Sequence, residues 1–273
     1  MNRIAVLIPV FNNQEGLLLT IASFVNEKEE AVDIYVVDDG STPAITCPDK
    51  INQHAVHVVR MAENKGIEYA LNHGLNTIRG GNYEYIARID AGDRVLKNRF
   101  SKQAFFLSEN KEIALAGSYS NFKTKEGTLH FTYKPPKTYK AIKRKMHMNS
   151  CFSHPAVMFR ADLIDKVGPY SLAYKSAEDY EFFFRIVNRY QTANLDDVLL
   201  EEEFNDTGIS ATRRRQQLFS RLKVQLKYFD FTEVYSYLGI FKTAALFMIP
   251  RSFIERVKSS GSVLVQSENE GEP

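Results

Sequence analysis

The 273-residue chain is poor in features that would assign it to a disulfide-rich or membrane-spanning class. It has only two cysteines, Cys47 and Cys151, which are too few and too far apart for a disulfide framework or a zinc site. No apolar run approaches the ~20 residues that cross a bilayer. The apolar run after Arg3 ends without a small-residue cleavage site. We therefore expect a cytoplasmic protein, free or bound to the inner face of a membrane.

Two glycine-rich phosphate-binding motifs are also absent. The sequence contains no G-x-x-x-x-G-K-[ST], and no G-x-G-x-x-G follows its first apolar run. These absences argue against a P-loop NTPase and against a dinucleotide-dependent dehydrogenase. If the protein binds a diphosphate, a metal ion has to neutralise it in place of a glycine loop.

Charge is nearly balanced overall, at +2, but it is unevenly distributed. Residues 211–258 hold ten basic and three acidic side chains, whereas residues 1–210 carry a net charge of −2. The main body is therefore not predicted to bind nucleic acid. The basic segment interleaves apolar residues such as Leu238 and Phe241, which suits a peripheral helix on anionic lipid. It equally suits a helix packed on the sheet or on another subunit.

Apolar runs and helical periodicities alternate along the first ninety residues. Residues 3–11 are almost continuously apolar, which is typical of a strand buried on both faces. The order of the elements that follow predicts a parallel sheet with helices on both faces. The predicted strands are 3–11, 32–37, 57–59, 83–89 and 156–159. The predicted helices are 14–27, 70–78, 137–148 and 177–190, with a hairpin over 122–133 and a helical segment from residue 212.

Three strand ends carry unusual residues. Open α/β sheets bind ligands beyond the carboxyl ends of their strands. These ends read Pro9-Val10-Phe11-Asn12, Asp38-Asp39 and Asp90-Ala91-Gly92-Asp93. Acidic groups at one edge repel each other unless a positive charge lies between them, so we expect a divalent cation, Mn²⁺ or Mg²⁺. Either acidic segment alone could also be an ordinary turn.

A third acidic pair, Glu178-Asp179, begins a predicted helix. Ser176-Ala177-Glu178-Asp179 also fits a capping box, in which Asp179 would only stabilise the helix start. In that position the pKa of a carboxylate is lowered, which weakens it as a base. A general base needs only to be ionised and within reach of the hydroxyl that it activates. Both interpretations stay open from the sequence.

Six segments between residues 3 and 210 stand in an order that is typical of one family. They are VLIPVFN (6–12), VVDDGST (36–42), NKG (64–66) with Ala70 and Asn72, ARIDAGD (87–93), SHP (153–155) and EDYE (178–181). Here the chain resembles the family 2 glycosyltransferases, whose GT-A fold is a Rossmann-like, mostly parallel central sheet flanked by helices. We expect such a domain over 1–210, a basic helical extension over 211–258 and a disordered tail over 259–273.

The resemblance implies an inverting transfer of a hexose from a nucleoside diphosphate sugar to an acceptor hydroxyl. By position, Pro9, Phe11, Asn12 and Asp39 would bind the nucleotide-sugar, with Asp39 accepting hydrogen bonds from the base. Asn64 and Lys65 would lie on the loop that closes the nucleoside pocket. We expect UDP as the nucleotide.

The resemblance also implies roles on the reacting side. Asp90 and Asp93 would hold the metal and the donor's ribose or diphosphate. Asp179 would deprotonate the acceptor hydroxyl, and Glu178 would assist acceptor binding. The family's commonest metal motif is Asp-Ala-Asp-Asp, but Gly92 occupies its third position here. Either Asp93 takes over that role, or the metal is held mainly through the donor diphosphate.

The expected acceptor is a glycan or a lipid-linked oligosaccharide of surface polysaccharide synthesis, and a homo-oligomer is compatible with the extension. Two alternatives stay open. A sugar-phosphate nucleotidyltransferase uses a similar carboxylate pair, but it usually carries a glycine- and lysine-rich loop where this chain has residues 11–14. A non-catalytic nucleotide-sugar-binding module of the same fold is suggested by Gly92.

Overall fold

A computed structural model describes residues 3–124, 126–203 and 213–248 of the chain. Within these ranges ten strands join in one sheet. They are β1 Ile4–Val10, β2 Val32–Asp38, β3 Lys50–Ile51, β4 His54–Arg60, β5 Tyr85–Arg88, β6 Arg94–Val95, β7 Ile113–Lys123, β8 Leu129–Tyr133, β9 Met158–Arg160 and β10 Gln191–Glu203. The α-helices are α1 Gln14–Ser23, α2 Ile67–Arg79, α3 Arg99–Glu109, α4 Tyr139–Lys145, α5 Leu163–Val167, α6 Glu178–Val187, α7 Arg214–Lys227 and α8 Val234–Met248.

The sheet confirms the predicted α/β class. Its strand order is β3-β4-β2-β1-β5-β9-β7-β10-β6, with β8 paired to β7 in the predicted hairpin. Strands β4, β2, β1 and β5 are parallel, and so are β7 and β10. Strand β9 is antiparallel to both β5 and β7, so it joins the two parallel parts and makes the sheet mixed.

Strand β1 lies at the centre of the N-terminal parallel part and is buried along its whole length. Because side chains alternate along a strand, Ile4 and Val6 pack towards α1 and α3, whereas Ala5 and Leu7 pack towards α2. The sheet thus has a core on each face. This arrangement explains why the segment is apolar without alternation.

Strand β10 and helix α3 were not predicted, because both place polar side chains on buried faces. Glu202 on β10 is buried and accepts a hydrogen bond from Ser153. On α3, the buried guanidinium of Arg99 donates to Gln103 (3.1 Å), whose amide donates to two backbone carbonyls. Such buried polar side chains interrupt the apolar periodicity by which buried elements are recognised.

The described part of the C-terminal segment forms α7 and α8, which dock on the domain. Lys227 and Tyr228 at the end of α7 bind the carboxylate of Glu181 on α6 (2.8 and 2.9 Å). A Cβ atom on Gly239 of α8 would lie 2.0 Å from the carbonyl oxygen of His147, so the helix touches this backbone directly. The proposed division at residues 210 and 258 stays a prediction, and the predicted disordered tail over 259–273 lies outside the described residues.

Candidate active site

A cleft of about 400 Å³ opens beyond the carboxyl ends of β1, β2 and β5. It unites the strand ends with the loop before α2 and with two residues from the C-terminal half. The lining residues are Pro9, Val10, Phe11, Asn13, Asp39, Asn64, Gly66, Ile67, Glu68, Ala70, Asp90, Ala91, Ser176 and Arg213. Five residues predicted to bind the nucleotide-sugar, namely Pro9, Phe11, Asp39, Asn64 and Asp90, therefore share one cavity.

Asp39 holds the loop that forms one wall of the cleft. Its buried carboxylate accepts hydrogen bonds from the backbone amides of Lys65 and Gly66, both at 2.9 Å. Gly66 has a φ of +103°, and a Cβ atom there would lie 3.2 Å from the Glu68 carboxylate, so the turn requires glycine. Carboxylate oxygens have spare lone pairs, so Asp39 can still accept from a ligand. Lys65 takes part through its amide, and its ammonium pairs with Glu63 (3.4 Å).

Asp38 and Asn12 organise the turn after β2. Asp38 accepts from the Ser41 amide (2.8 Å) and pairs with Arg60 (3.1 Å). Burial raises the pKa of Asp38, but these partners outweigh burial and lower it overall. The side-chain oxygen of Asn12 accepts from the Thr42 amide (2.9 Å), beside the cleft. Asp38 therefore builds the turn, whereas Asp39 lines the cleft, where its predicted contact with the nucleotide stays a prediction.

Arg88 places a buried positive charge behind the cleft. It ends β5, is 4% exposed, and makes a bidentate pair with Asp90, whose side chain lines the cleft and is 42% exposed. The guanidinium charge also acts to lower the pKa of Glu178 and of Asp179 against their burial. The chain itself therefore supplies the positive charge that the sequence argument assigned to a metal ion alone.

Asp93 lies behind Asp90 and is buried. It accepts a hydrogen bond from the Glu203 amide (3.2 Å). Burial, reinforced by the charges of Asp90 and Glu202, raises its pKa well above the usual range. Asp90 lines the cleft, whereas Asp93 is buried and is not among the lining residues, so its carboxyl is not presented to the cleft in place of the one missing at Gly92.

The donor set fits a metal that the diphosphate helps to hold. In the described ranges no three His, Cys, Asp or Glu side chains converge as a metal site. Asp90 nevertheless offers a carboxylate in the cleft, and Mg²⁺ commonly binds to one or two carboxylates together with substrate phosphates and water. This arrangement corresponds to the alternative in which, with Gly92 in the motif, the metal is held mainly through the donor diphosphate.

The capping-box interpretation of Ser176 to Asp179 is wrong. The residue that precedes α6 is Ala177, and no side chain caps the helix, while Ser176 has a φ of +62° and lines the cleft. The expected lowering of the Asp179 pKa is also wrong. Burial raises it, and this effect exceeds the opposing effects of the helix amides and of Arg88.

Glu178 is the more strongly perturbed member of the pair. Burial, and then the charge of Asp179, raise the pKa of Glu178 to about 8. Among the described residues its Oε2 atom is one of the buried oxygens without a hydrogen-bond partner. Two adjacent carboxyls in one desolvated place cannot both ionise easily, so near neutral pH Glu178 keeps a proton.

Neither residue of the acid pair is among those that line the cleft, but both interact with residues that do. Ser176, two residues before Glu178, belongs to the lining. Two lining carboxylates act on the pair, since the charge of Asp90 raises the pKa of Asp179 and that of Glu68 raises the pKa of Glu178. The structure thus brings the strand-end acids and the α6 acids into one electrostatic unit.

Four residues of the cleft and of this unit had no predicted role in the donor or metal site: Glu68, Arg88, Glu202 and Arg213. An arginine inside the apolar run Tyr-Ile-Ala-Arg-Ile was a usable signal, because a buried cation needs acidic partners. Glu68 follows a glycine at a helix start, where an anion is favourable in any helix, so its position was ambiguous. Glu202 could not be placed while β10 was unrecognised.

The fold and the cleft define an α/β transferase of the GT-A class. Residues 5–168 match the family described as Glycosyl transferase family 2, and this chain belongs to that family. The family and its relatives are glycosyltransferases, which confirms the predicted enzyme class and fold.

Two curated relatives give the extent of the similarity. The chain is 28% identical to the amylovoran biosynthesis glycosyltransferase AmsE of Erwinia amylovora over 229 residues, which cover 81% of this chain and 83% of the relative. It is 28% identical to an uncharacterized glycosyltransferase of Methanocaldococcus jannaschii over 165 residues, or 59% of this chain. That second match spans 56% of the relative, little more than half of its length.

Two solved structures share the fold. S. aureus TarS 1–349 in complex with UDP-GlcNAc superimposes with a TM-score of 0.64 at 16% identity, over 89% of this chain and 71% of that chain. The mannosyltransferase PcManGT from Pyrobaculum calidifontis, in complex with GDP-Man and Mn²⁺, gives 0.61 at 15% identity, over 99% and 76%. At these identities the likeness shows the fold alone.

The raised pKa of Glu178 predicts a pH-dependent loss of stability. Between the ordinary value of 4.5 and about 8, the unfolded chain ionises this carboxyl while the folded chain keeps the proton, so stability falls as the pH rises. Glu178→Gln removes this loss. We expect its melting temperature to exceed that of the wild type by several degrees at pH 8 and by much less at pH 5, measured by calorimetry.

The matched control is Glu109→Gln, which changes an exposed glutamate at the end of α3. It should follow the wild type at both pH values. A melting temperature of Glu178→Gln equal to or below that of the wild type at pH 8 would mean that Glu178 is ionised without cost in the folded protein.

Proposed function

We propose that the protein is an inverting glycosyltransferase that moves a hexose from a UDP-sugar to a hydroxyl of a glycan or lipid-linked acceptor. The observation that carries this proposal is the single cleft containing Pro9, Phe11, Asp39, Asn64 and Asp90, beside the acid pair of α6. AmsE is named for amylovoran biosynthesis and TarS was crystallised with UDP-GlcNAc, which supports a polysaccharide product and a UDP donor.

The nucleoside side of the cleft offers one apolar and one polar surface. The Phe11 ring is 47% exposed at the end of β1 and provides a face for the base, beside Pro9. Asp39 supplies acceptor oxygens for the base and fixes the loop that carries Asn64 and Lys65. We assign the uridine to this half of the cleft. Asn12 supports it from behind through the turn after β2.

The diphosphate side contains Asp90, held by Arg88. We propose that Mn²⁺ or Mg²⁺ binds here through Asp90 and the donor diphosphate, with Asp93 behind, and PcManGT with Mn²⁺ supports this assignment. A bound cation would neutralise the developing charge of the leaving diphosphate. Arg88 fixes the orientation of the Asp90 carboxylate, whichever donor occupies the cleft.

The acceptor side contains Asp179 and Glu178. Inversion requires a base on the face of the sugar opposite the leaving group, and we assign that role to Asp179. Its raised pKa makes the ionised Asp179 carboxylate a stronger base than that of an exposed aspartate. Glu178, with a pKa of about 8, keeps a proton at neutral pH and can donate a hydrogen bond to the acceptor.

Family membership removes the nucleotidyltransferase alternative. The non-catalytic alternative differs from the proposal in having no turnover, so release of free nucleoside diphosphate from a UDP-sugar distinguishes the two. Four further expectations stay predictions. They are a cytoplasmic location, a homo-oligomer, the absence of nucleic-acid binding and peripheral membrane contact through residues 211–258.

Asp179→Asn should abolish transfer and leave donor binding unchanged, because the residue lies beside the cleft and acts on the acceptor. A positioned base contributes about 10²- to 10⁴-fold in rate, so we expect a loss of that size in kcat. Titration calorimetry with UDP should give the wild-type affinity. The control is Asp165→Asn, an exposed aspartate of α5 paired with Arg79. An equal loss of UDP affinity in Asp179→Asn would assign the residue a structural role.

The incomplete donor set predicts that metal binding depends on the nucleotide. Mn²⁺ alone should leave the melting temperature unchanged, UDP alone should raise it, and both together should raise it most. A thermal-shift series with UDP, GDP and CDP, each with and without Mn²⁺, measures this order and identifies the nucleotide. If Mn²⁺ alone raised the melting temperature as much as Mn²⁺ with UDP, metal binding would not depend on the nucleotide, and the metal site would be preformed.

A further inference from the structure

The two faces of α8 are the reverse of those of an ordinary surface helix. Its buried residues are small or polar: Ser236, Gly239 and Thr243. Most of its exposed residues are large and apolar: Val234, Tyr237, Leu238, Phe241, Phe247 and Met248, of which Phe241 is 75% and Met248 87% exposed. A helix at a protein–water boundary normally turns its apolar side inward. An exposed apolar face of this kind marks an interaction surface.

The helix cannot rotate to bury this face, because its small residues fix its orientation. Ser236 Oγ contacts His147 Nδ1 at 2.9 Å. The approach of Gly239 to the His147 carbonyl leaves no room for a side chain. The apolar face also continues beyond the helix, because Phe229 contacts both Phe231 and Tyr237, with ring centroids 5.0 and 4.9 Å apart, and Phe231 is 82% exposed.

The charge around this face favours anionic lipid over another protein. Residues 213–248 hold seven Lys or Arg against two Asp or Glu, and Arg215, Lys223 and Lys242 are exposed. Exposed aromatic residues beside bases are typical of helices in the membrane interface, whereas lysine is depleted in protein–protein interfaces. The helix would lie in the membrane plane, since no helix in the described part of the chain has the length and apolarity to cross a bilayer.

The same helix pair reaches the mouth of the cleft. Arg213, just before α7, lines the cleft, and the next residue, Arg214, donates to the carbonyl of Leu246 near the end of α8 (2.6 Å). The C-terminal end of α8 therefore lies beside the cleft opening. A flat surface in contact with the apolar face would come close to the site where an acceptor enters.

We propose that the exposed face of α8, together with Phe231, docks on an anionic lipid membrane and holds the cleft beside the lipid surface. The docking stands on the geometry of α7 and α8. If the protein docks in this way, the acceptor hydroxyl is presented on a lipid carrier, and this consequence rests on the proposed function.

Co-sedimentation of the full chain with vesicles tests the docking. The vesicles are phosphatidylglycerol–phosphatidylcholine mixtures or phosphatidylcholine alone. We expect binding to the anionic vesicles that weakens as salt rises. The double variant Leu238→Glu/Phe241→Glu should bind at least about tenfold more weakly, because two apolar contacts are lost. The matched control Phe105→Glu changes a phenylalanine of α3 that is 67% exposed and should bind like the wild type.

A second variant, Lys223→Glu/Lys242→Glu, keeps the apolar face and should lose the preference for anionic vesicles. The UDP-induced thermal shift of every variant should equal that of the wild type, so a failure of docking and a failure of donor binding are distinguishable. Unbound wild-type protein, or equal binding by all variants, would overturn the proposal. A dimer that forms without lipid and dissociates in the Leu238→Glu/Phe241→Glu variant would also overturn it, because the face would then bind a second copy of the chain. A monomer that does not bind vesicles would overturn it as well and would leave residues 249–273 as the segment that covers the face.

Discussion

One buried guanidinium organises the acidic site. Arg88 stands at the end of β5 between Asp90, which faces the cleft, and the acid pair at the start of α6. Burial raises the pKa of four nearby carboxyls, those of Asp93, Glu178, Asp179 and Glu202, and the charge of Arg88 opposes that change in each. Because a guanidinium keeps its proton at any working pH, the opposition is permanent. The orientation of Asp90 and the ionisation of Asp179 thus depend on the same residue.

The site is held together at a cost in stability. Burial raises the pKa of Asp93, of Glu178 and of Glu202, the last to about 6, so each of them weakens the fold when the pH rises above the ordinary glutamate range. Strongly perturbed carboxyls gathered beside a cleft are typical of functional sites. The two-sided core around β1 provides the stability that tolerates them. Helix α8 also reduces the stability of the protein in water, because its apolar face is exposed.

The sequence was sufficient to predict the N-terminal parallel strands, because β1 is continuously apolar and β2, β4 and β5 each contain a short apolar run. Parallel strands end at one edge, so Phe11, Asp39 and Asp90 could be brought together without coordinates. Burial of single polar groups could not be predicted in the same way. Strand β10 was missed because it ends in glutamates. The predicted direction of the Asp179 pKa shift was wrong because the sequence shows that Asp179 lies at a helix start but does not show that its carboxyl is desolvated.

The most direct test of this account is the pH dependence of kcat/KM in the wild type and in Arg88→Gln. Activity should rise with pH as the base ionises, and the acidic limb of Arg88→Gln should lie at higher pH, because the charge that lowers the pKa of Asp179 is gone. The exposed Arg79→Gln serves as the control. An acidic limb at the same pH in both proteins, with activity reduced uniformly, would show that Arg88 only holds Asp90 and does not control the base.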